Sequence, residues 1–235
     1  MTAIRNARER ARAELTREIK AEARRQLGAS GAQGLSLRAV ARELGMVSSA
    51  LYRYFPSRDD LLTALIIDAY NALGDRVEAA GGTGHRERWR AYARTIREWA
   101  RANPHEYALV YGSPVPGYQA PQATVVPASR VPLALLAILT DAWEAGELTV
   151  PGETLSVELD EQLSRLTEQV AIGLPEPVMA RALVVWTQLF GMVGFELFGQ
   201  LVGSADPAGP FFDYTLERMA DFVGLKDDSP ALLRL

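Results

Sequence analysis

Apolar residues recur along this chain at three- and four-residue spacing and rarely alternate singly, a pattern that predicts helices throughout. Over residues 3–27, Ile4, Ala7, Ala11, Leu15, Ile19 and Ala23 mark one face of a helix rich in alanine, arginine and glutamate. The glycine-rich "LGASGAQG", Leu27 to Gly34, stops it. Ser36 can cap the next helix, whose inward set is Leu37, Val40, Ala41 and Leu44, and Gly45 breaks that one. Val47, Leu51 and Phe55, four residues apart, put one apolar face on a short helix at about 48–55, which Pro56 ends. Ser57, with Asp60 three residues on, opens a helix that "LLTALIIDAYNAL" carries to about Ala80.

"GGTG" at 81–84 reads as a flexible break. Beyond it the spacing predicts helices at about 86–102, ended by Asn103-Pro104, and at 105–112. A proline- and glycine-rich loop follows, then helices at about 129–145, 157–172, 177–202 and 210–224. The chain is therefore expected to be all-α, divided into a domain over 1–56, a connecting helix over 57–80 and a second domain over 81–235. Neither an internal repeat nor a sustained heptad is evident.

Composition sharpens this. With 235 residues, 48% of them hydrophobic, the chain can bury a real core. It contains no cysteine, which excludes disulfides, thiolate metal sites and cysteine nucleophiles. The net charge of −4 hides a segregation: residues 1–60 hold twelve Lys/Arg against seven Asp/Glu, the remainder thirteen against twenty-two. A basic segment on an acidic body is expected when one end meets a polyanion, although scattered surface charge can also fluctuate this far. "MTAIRNARERARAEL" lacks the apolar core of a secretory leader, so a cytoplasmic protein is expected. Ala182 to Gly203 is long enough for a membrane span, but Glu196, with Gln188 and Gln200, makes a buried helix the better reading.

Helix, glycine turn, short helix is the helix-turn-helix arrangement, whose second helix enters the major groove of DNA. If Leu37, Val40, Ala41 and Leu44 pack on Val47, Leu51 and Phe55, the residues left facing away carry the chemistry. Ser48 and Ser49 stand at the N-terminal end, where a recognition helix meets base edges. Tyr52, Arg53 and Tyr54 lie nearer the phosphates, for which hydroxyl, phenol and guanidinium groups are donors. Helix-turn-helix pairs also occur in proteins that never see DNA, so this pattern leaves both readings open.

The stretch "GLSLRAVARELGMVSSALYRYFPSRDDLLTALI", Gly34 to Ile66, resembles the N-terminal domain of the TetR (tetracycline-repressor-like) family of bacterial transcription regulators. The likeness rests on "A-x-E-L-G" at 41–45, "L-Y-x-Y-F" at 51–55 and "S-R-D-D-L" at 57–61. It implies that Val47, Ser48, Ser49 and Ala50 approach bases. Tyr52 and Tyr54 would hold phosphates, helped by Ser36, Arg38 and Arg58, the last replacing the family's commoner lysine. It further implies a palindromic operator, a C-terminal helical domain for ligand binding and dimerisation, and a homodimer through the helices at about 177–202 and 210–224. "WTQLFGMVGFELFG", Trp186 to Gly199, is similar to a C-terminal domain type (WHG) with histidine-glycine where this chain has Phe190-Gly191. That histidine's role is therefore not carried over.

A regulator of this kind is expected to be a repressor that a small, mostly apolar effector releases from DNA. Trp99, Tyr107, Tyr111, Tyr118, Trp143, Met192 and Phe195 could line its pocket, and Glu196 could anchor a polar group of it, though each is as readily core or interface. The rival is the same fold governed by a protein partner, or constitutive. An enzyme is not expected: His85 and His105 belong to no metal or nucleophile motif, Asp59/Asp60 and Asp227/Asp228 read as a helix start and a solvated tail, and no phosphate-binding glycine loop occurs. No cofactor, metal or membrane partner is expected.

Overall fold

The computed structural model describes residues 2–150, 152–170 and 173–227, with side chains described from residue 7. Among them run α1 (Thr2–Ser30), α2 (Leu37–Glu43), α3 (Ser48–Leu51), α4 (Arg58–Ala79) and α5 (His85–Ala102). Then come α6 (Pro104–Tyr111), α7 (Val125–Glu144), α8 (Val157–Gln169), α9 (Glu176–Leu197) and α10 (Gly209–Val223). One isolated bridge, Leu148 to Leu225, is the only extended pairing among the described residues. The fold is all-α, as the spacing predicts.

Several ends differ from expectation for identifiable reasons. α1 runs through "LGAS" because Gly28 sits inside it, where a Cβ would come 3.1 Å from the His105 ring. The helix gives way at Gly31, which takes φ 68°. α7 begins at Val125, four residues before the predicted start, and Pro127 is tolerated there because first-turn amides have no intrahelical acceptor. α9 stops at Leu197 rather than 202, just before Gly199 turns the chain at φ 78°. "GGTG" is a cap and not a loose break: the amide and hydroxyl of Thr83 donate to Glu87 at 2.9 and 2.6 Å.

The chain groups into two compact units. One compact unit joins Met1–Ala72 to Asn103–Ala128, and the other joins Leu73–Ala102 to Ser129–Leu235, so the boundary falls inside α4. What attaches α6 and its following loop to the first unit is a set of long-range bonds. Arg24 bridges Glu106 at 2.8 Å and Asp68 at 2.7 Å, Lys20 reaches Asp68 at 2.9 Å, and Tyr118 pairs with Thr63 at 2.9 Å. Tyr70 donates to the Val110 carbonyl. Its core gathers Ile19, Ala23 and Leu27 of α1, Val40 and Ala41 of α2, Leu51 of α3, and Leu61, Leu62 and Leu65 of α4.

The periodic alanines of the first helix mislead. Ala7 and Ala11 are exposed, and burial begins only at Leu15 and Ile19, because α1 extends past the core and a methyl group is too small to require burial. Ile4 belongs to the undescribed side chains.

In the second unit, α5 buries Trp89, Tyr92, Ile96 and Trp99 and turns arginines toward carboxylates of α7, α9 and α10. Trp89 donates to the Leu216 carbonyl at 3.0 Å, and Tyr92 to that of Val131 at 3.1 Å. Buried Arg86 donates to Glu217, Asp221 and the Leu225 carbonyl, Arg90 to Glu217 at 2.6 Å, and Arg94 to Asp213. Hydrogen bonds from Arg90 hold the Glu217 carboxyl down to about 2, with Arg86 adding to them against the opposing cost of burial.

Candidate nucleic-acid interface

Ser36 accepts from the Ala39 amide at 3.4 Å and so starts α2. Its own amide donates to Gln26, a buried side chain on α1 that is tied in turn to Glu22. Gly45, at φ 64°, reverses the chain between α2 and α3, a conformation that a β-carbon would strain. The Met46 amide then closes on the Ala41 carbonyl at 2.8 Å. Leu37, Val40 and Ala41 meet Leu51 and Phe55 in the core, which fixes α3 against α2.

Val47 does not join that apolar face as its spacing predicts. It is the N-cap of α3 and 71% exposed, because the regular helix starts only after it. Likewise α3 is one turn, Ser48–Leu51, and residues 52–54 continue as turns and not as the helix expected to Phe55. Ser49, Tyr52, Arg53 and Arg38 are exposed, while Ser36, Ser48, Ala50, Tyr54 and Arg58 are half-buried. Val47, Ser49, Tyr52 and Arg53 thus present side chains to solvent around one short helix end.

The predicted phosphate donors converge. Ser36, Arg38, Tyr52 and Arg58 line one open cleft of about 460 Å³, with Leu35, Leu37, Pro56 and Ser57. Arg58 is also bonded within the chain. Its guanidinium donates to the carbonyls of Ala32 at 2.7 Å and Leu35 at 3.2 Å, which clamps the strand of chain leading into Ser36. It is therefore a positioning residue, and the planar fork suits two carbonyls better than an ammonium would. Ser57 caps α4 by accepting from the Asp60 amide at 3.0 Å and donating to its carboxylate at 2.7 Å. Sequence reasoning missed Arg12, whose guanidinium lies over the Tyr54 ring, 5.4 Å from its centroid. Only the tertiary fold brings those two together.

The expected ligand residues fall into both units. In the first, buried Tyr107 packs on Tyr111 with centroids 5.3 Å apart, Tyr111 meets Tyr70 edge-on at 5.9 Å, and Tyr118 is held by Thr63. Burial pushes the Tyr107 and Tyr111 phenols upward, so both stay neutral. In the second, Trp99 and Met192 are core, Trp143 is on the surface, and Phe195 is 55% exposed. Glu196 is paired with Arg97 through two bonds of 2.6 and 2.8 Å. Asp227 is exposed, and its neighbour Asp228 lies outside the described residues. Among the described residues, no group of three or more His, Asp or Glu is placed to hold a metal.

A bracing helix, a glycine turn and a short helix with polar, exposed flanks define a helix-turn-helix protein. Comparison with known proteins agrees. Residues 19–65 match the profile described as bacterial regulatory proteins, tetR family, and residues 89–219 match that of the tetracyclin repressor-like C-terminal domain. The HTH-type transcriptional regulator Rv1816 of Mycobacterium tuberculosis (strain H37Rv) is 38% identical over 195 residues, covering 81% of this chain and 83% of its own. The crystal structure of SCO4313 is 34% identical and superimposes with a TM-score of 0.75 over 91% of this chain and 98% of that one. A tetR-family regulatory protein from Rhodococcus RHA1, at 16% identity and a TM-score of 0.62 over 90% of this chain and 98% of its own, shares the fold. The chain belongs to the TetR family of helix-turn-helix transcriptional regulators.

Proposed function

We propose that this regulator works as a homodimer that sets α3 of each protomer into the major groove of a palindromic operator. Val47, Ser48, Ser49 and Ala50 meet base edges there, while Ser36, Arg38, Tyr52, Arg53 and Tyr54 hold the phosphate walls. Small side chains make few bidentate base contacts, which leaves part of the sequence choice to DNA shape. The observation that carries this reading is the exposure of Val47, Ser49 and Tyr52 around one helix end, beside the cleft that Ser36, Arg38 and Tyr52 share.

The mate is supplied by α9 and α10. Leu183, Val184 and Phe195 of α9 and Phe198 at its C-cap, with Phe211, Tyr214 and Phe222 of α10, are large apolar or aromatic side chains exposed on a single chain. Gly191 supports the same face. A Cβ there would meet nothing within 4 Å, so no contact inside the chain calls for glycine. Glycine nonetheless costs a helix interior about 1 kcal/mol relative to alanine. Close approach of a second helix accounts for it.

In this reading the regulator is a repressor, and a small, mostly apolar effector releases it by favouring a spacing of the two α3 helices that no longer fits successive major grooves. The aromatic cluster of Tyr70, Tyr107 and Tyr111 within the first unit supports an apolar ligand. A second reading, control by a protein partner or none, is favoured by the clefts of the second unit. The one of about 380 Å³ beside Glu196 is lined by Arg97, Arg101 and Asp206 as well as apolar groups. Selection of bound fragments from a random duplex pool, repeated with hydrophobic compounds, tests both. An enriched palindrome supports the operator reading, no enrichment ends it, and enrichment that no compound disturbs favours the second reading.

A further inference from the structure

α1 is longer than its core needs. The thirteen residues from Thr2 to Glu14 precede the first side chain that packs, Leu15, and every described side chain from Ala7 to Glu14 is exposed. At 1.5 Å per residue this projection is about 20 Å long. A helical projection whose described side chains are all in solvent is held by ion pairs along its surface or by a partner. Glu14 pairs with Arg17, but Arg8 and Arg12 have no carboxylate partner among the described residues. They stand one turn apart on one face, where like charges cost an isolated helix about 0.2–0.5 kcal/mol. That charge is open to a partner of opposite sign.

Where the row points is set by Arg12, whose guanidinium covers the Tyr54 ring just past α3. Stacking uses the flat face of the guanidinium and leaves its edge donors open. The two arginines therefore continue the surface that holds Tyr52, Arg53 and Tyr54. Residues 1–17 carry five arginines against two glutamates, so the projection is positive and its fitting partner a polyanion.

We propose that the projecting first turns of α1 form a second DNA contact, in which Arg8 and Arg12 grip backbone phosphates flanking the half-site read by α3. The contact lengthens the footprint of each protomer. At 3.4 Å per base pair the projection can follow about six base pairs, and it adds affinity without sequence preference. This inference rests on the operator reading above.

The test compares full-length wild type with Arg8→Ala and with Arg8→Ala/Arg12→Ala on two duplexes. One is a selected operator trimmed to its half-sites, and the other is the same operator extended by about six base pairs at each end. Wild type should bind the extended duplex more tightly. The double variant should lose that advantage, at least about tenfold at low salt, and four lost phosphate contacts per dimer should lower its log–log salt slope by up to about 3.6. Arg8→Ala, which leaves the Tyr54 stack intact, should lose about half as much, and the trimmed duplex should bind it as tightly as it binds wild type. Equal affinities on the extended duplex overturn the inference, as does an equal loss on both duplexes, which would mean damage to the α3 surface. If wild type binds neither duplex, the operator reading fails instead.

Discussion

α3 and α9 both expose side chains that their own chain leaves uncovered, yet the two surfaces have opposite chemistry. Around α3 the exposed set is the hydroxyl, phenol and guanidinium of Ser49, Tyr52 and Arg53, with Val47, over a small apolar core. Along α9 and α10 it is phenylalanine, leucine and valine. A charged, hydrated polyanion rewards donors that stay hydrated until contact, and its attraction falls with salt. A second copy of the same helix rewards apolar area and close approach, and that attraction survives salt. The contrast predicts the class of partner at each surface.

The comparison breaks most sharply at the apolar surface. Phe195→Asp with Phe198→Asp should convert the dimer to the 25.7 kDa monomer in light scattering and remove measurable operator binding at nanomolar protein, since one half-site keeps only part of the contacts. A variant that remains dimeric would refute the proposed face. At the polar surface, Tyr52→Ala should weaken binding to all duplexes about equally, by about tenfold, and leave the salt slope nearly unchanged, because a neutral phenol releases no counterion. Unchanged affinity would count against its phosphate role.

Gly191 separates the two ideas of what a helix surface is for. Were its surroundings only solvent, Gly191→Ala would raise the melting temperature through about 1 kcal/mol of helix propensity. With a partner helix close by, the same change should leave the monomer sound but raise the dimer dissociation constant several-fold, as read by sedimentation at falling concentration.

The smallest effect concerns pH. The carboxyl of Glu217 is held at about 2 in the folded chain, below its unfolded value, so its stabilising contribution is complete above about pH 5 and lost as pH falls toward 2. Glu217→Gln should flatten thermal stability over that window and leave it nearly pH-independent of this group. An unaltered acid profile would remove Arg90 and Arg86 from the account.

Local chemistry was legible where one element's residues carried it. The Ser36 and Ser57 caps, the Gly45 break, and the burial of Leu37, Val40, Ala41, Leu51 and Phe55 follow from spacing and side-chain type alone. Val47 was misread because four-residue spacing assumes a helix that had not yet begun. Ala7 and Ala11 were misread because a methyl group fits either side of a helix. The proposed DNA-facing set rests on the resemblance carried by the "L-Y-x-Y-F" and "S-R-D-D-L" motifs, whereas the work of Arg58 as a clamp on Ala32 and Leu35 was not legible there.

By itself, then, the sequence determined that this protein is helical, that its basic end carries a helix-turn-helix, and where nearly every helix starts, because those properties depend on residues within a few positions of one another. Only the tertiary structure decided that α6 belongs with the DNA-binding unit through Arg24, Glu106 and Tyr118, and that Arg97 occupies Glu196. It alone brought Arg12 over Tyr54. Each of these joins groups tens of residues apart, and a paired charge has the same letter in the sequence as a free one.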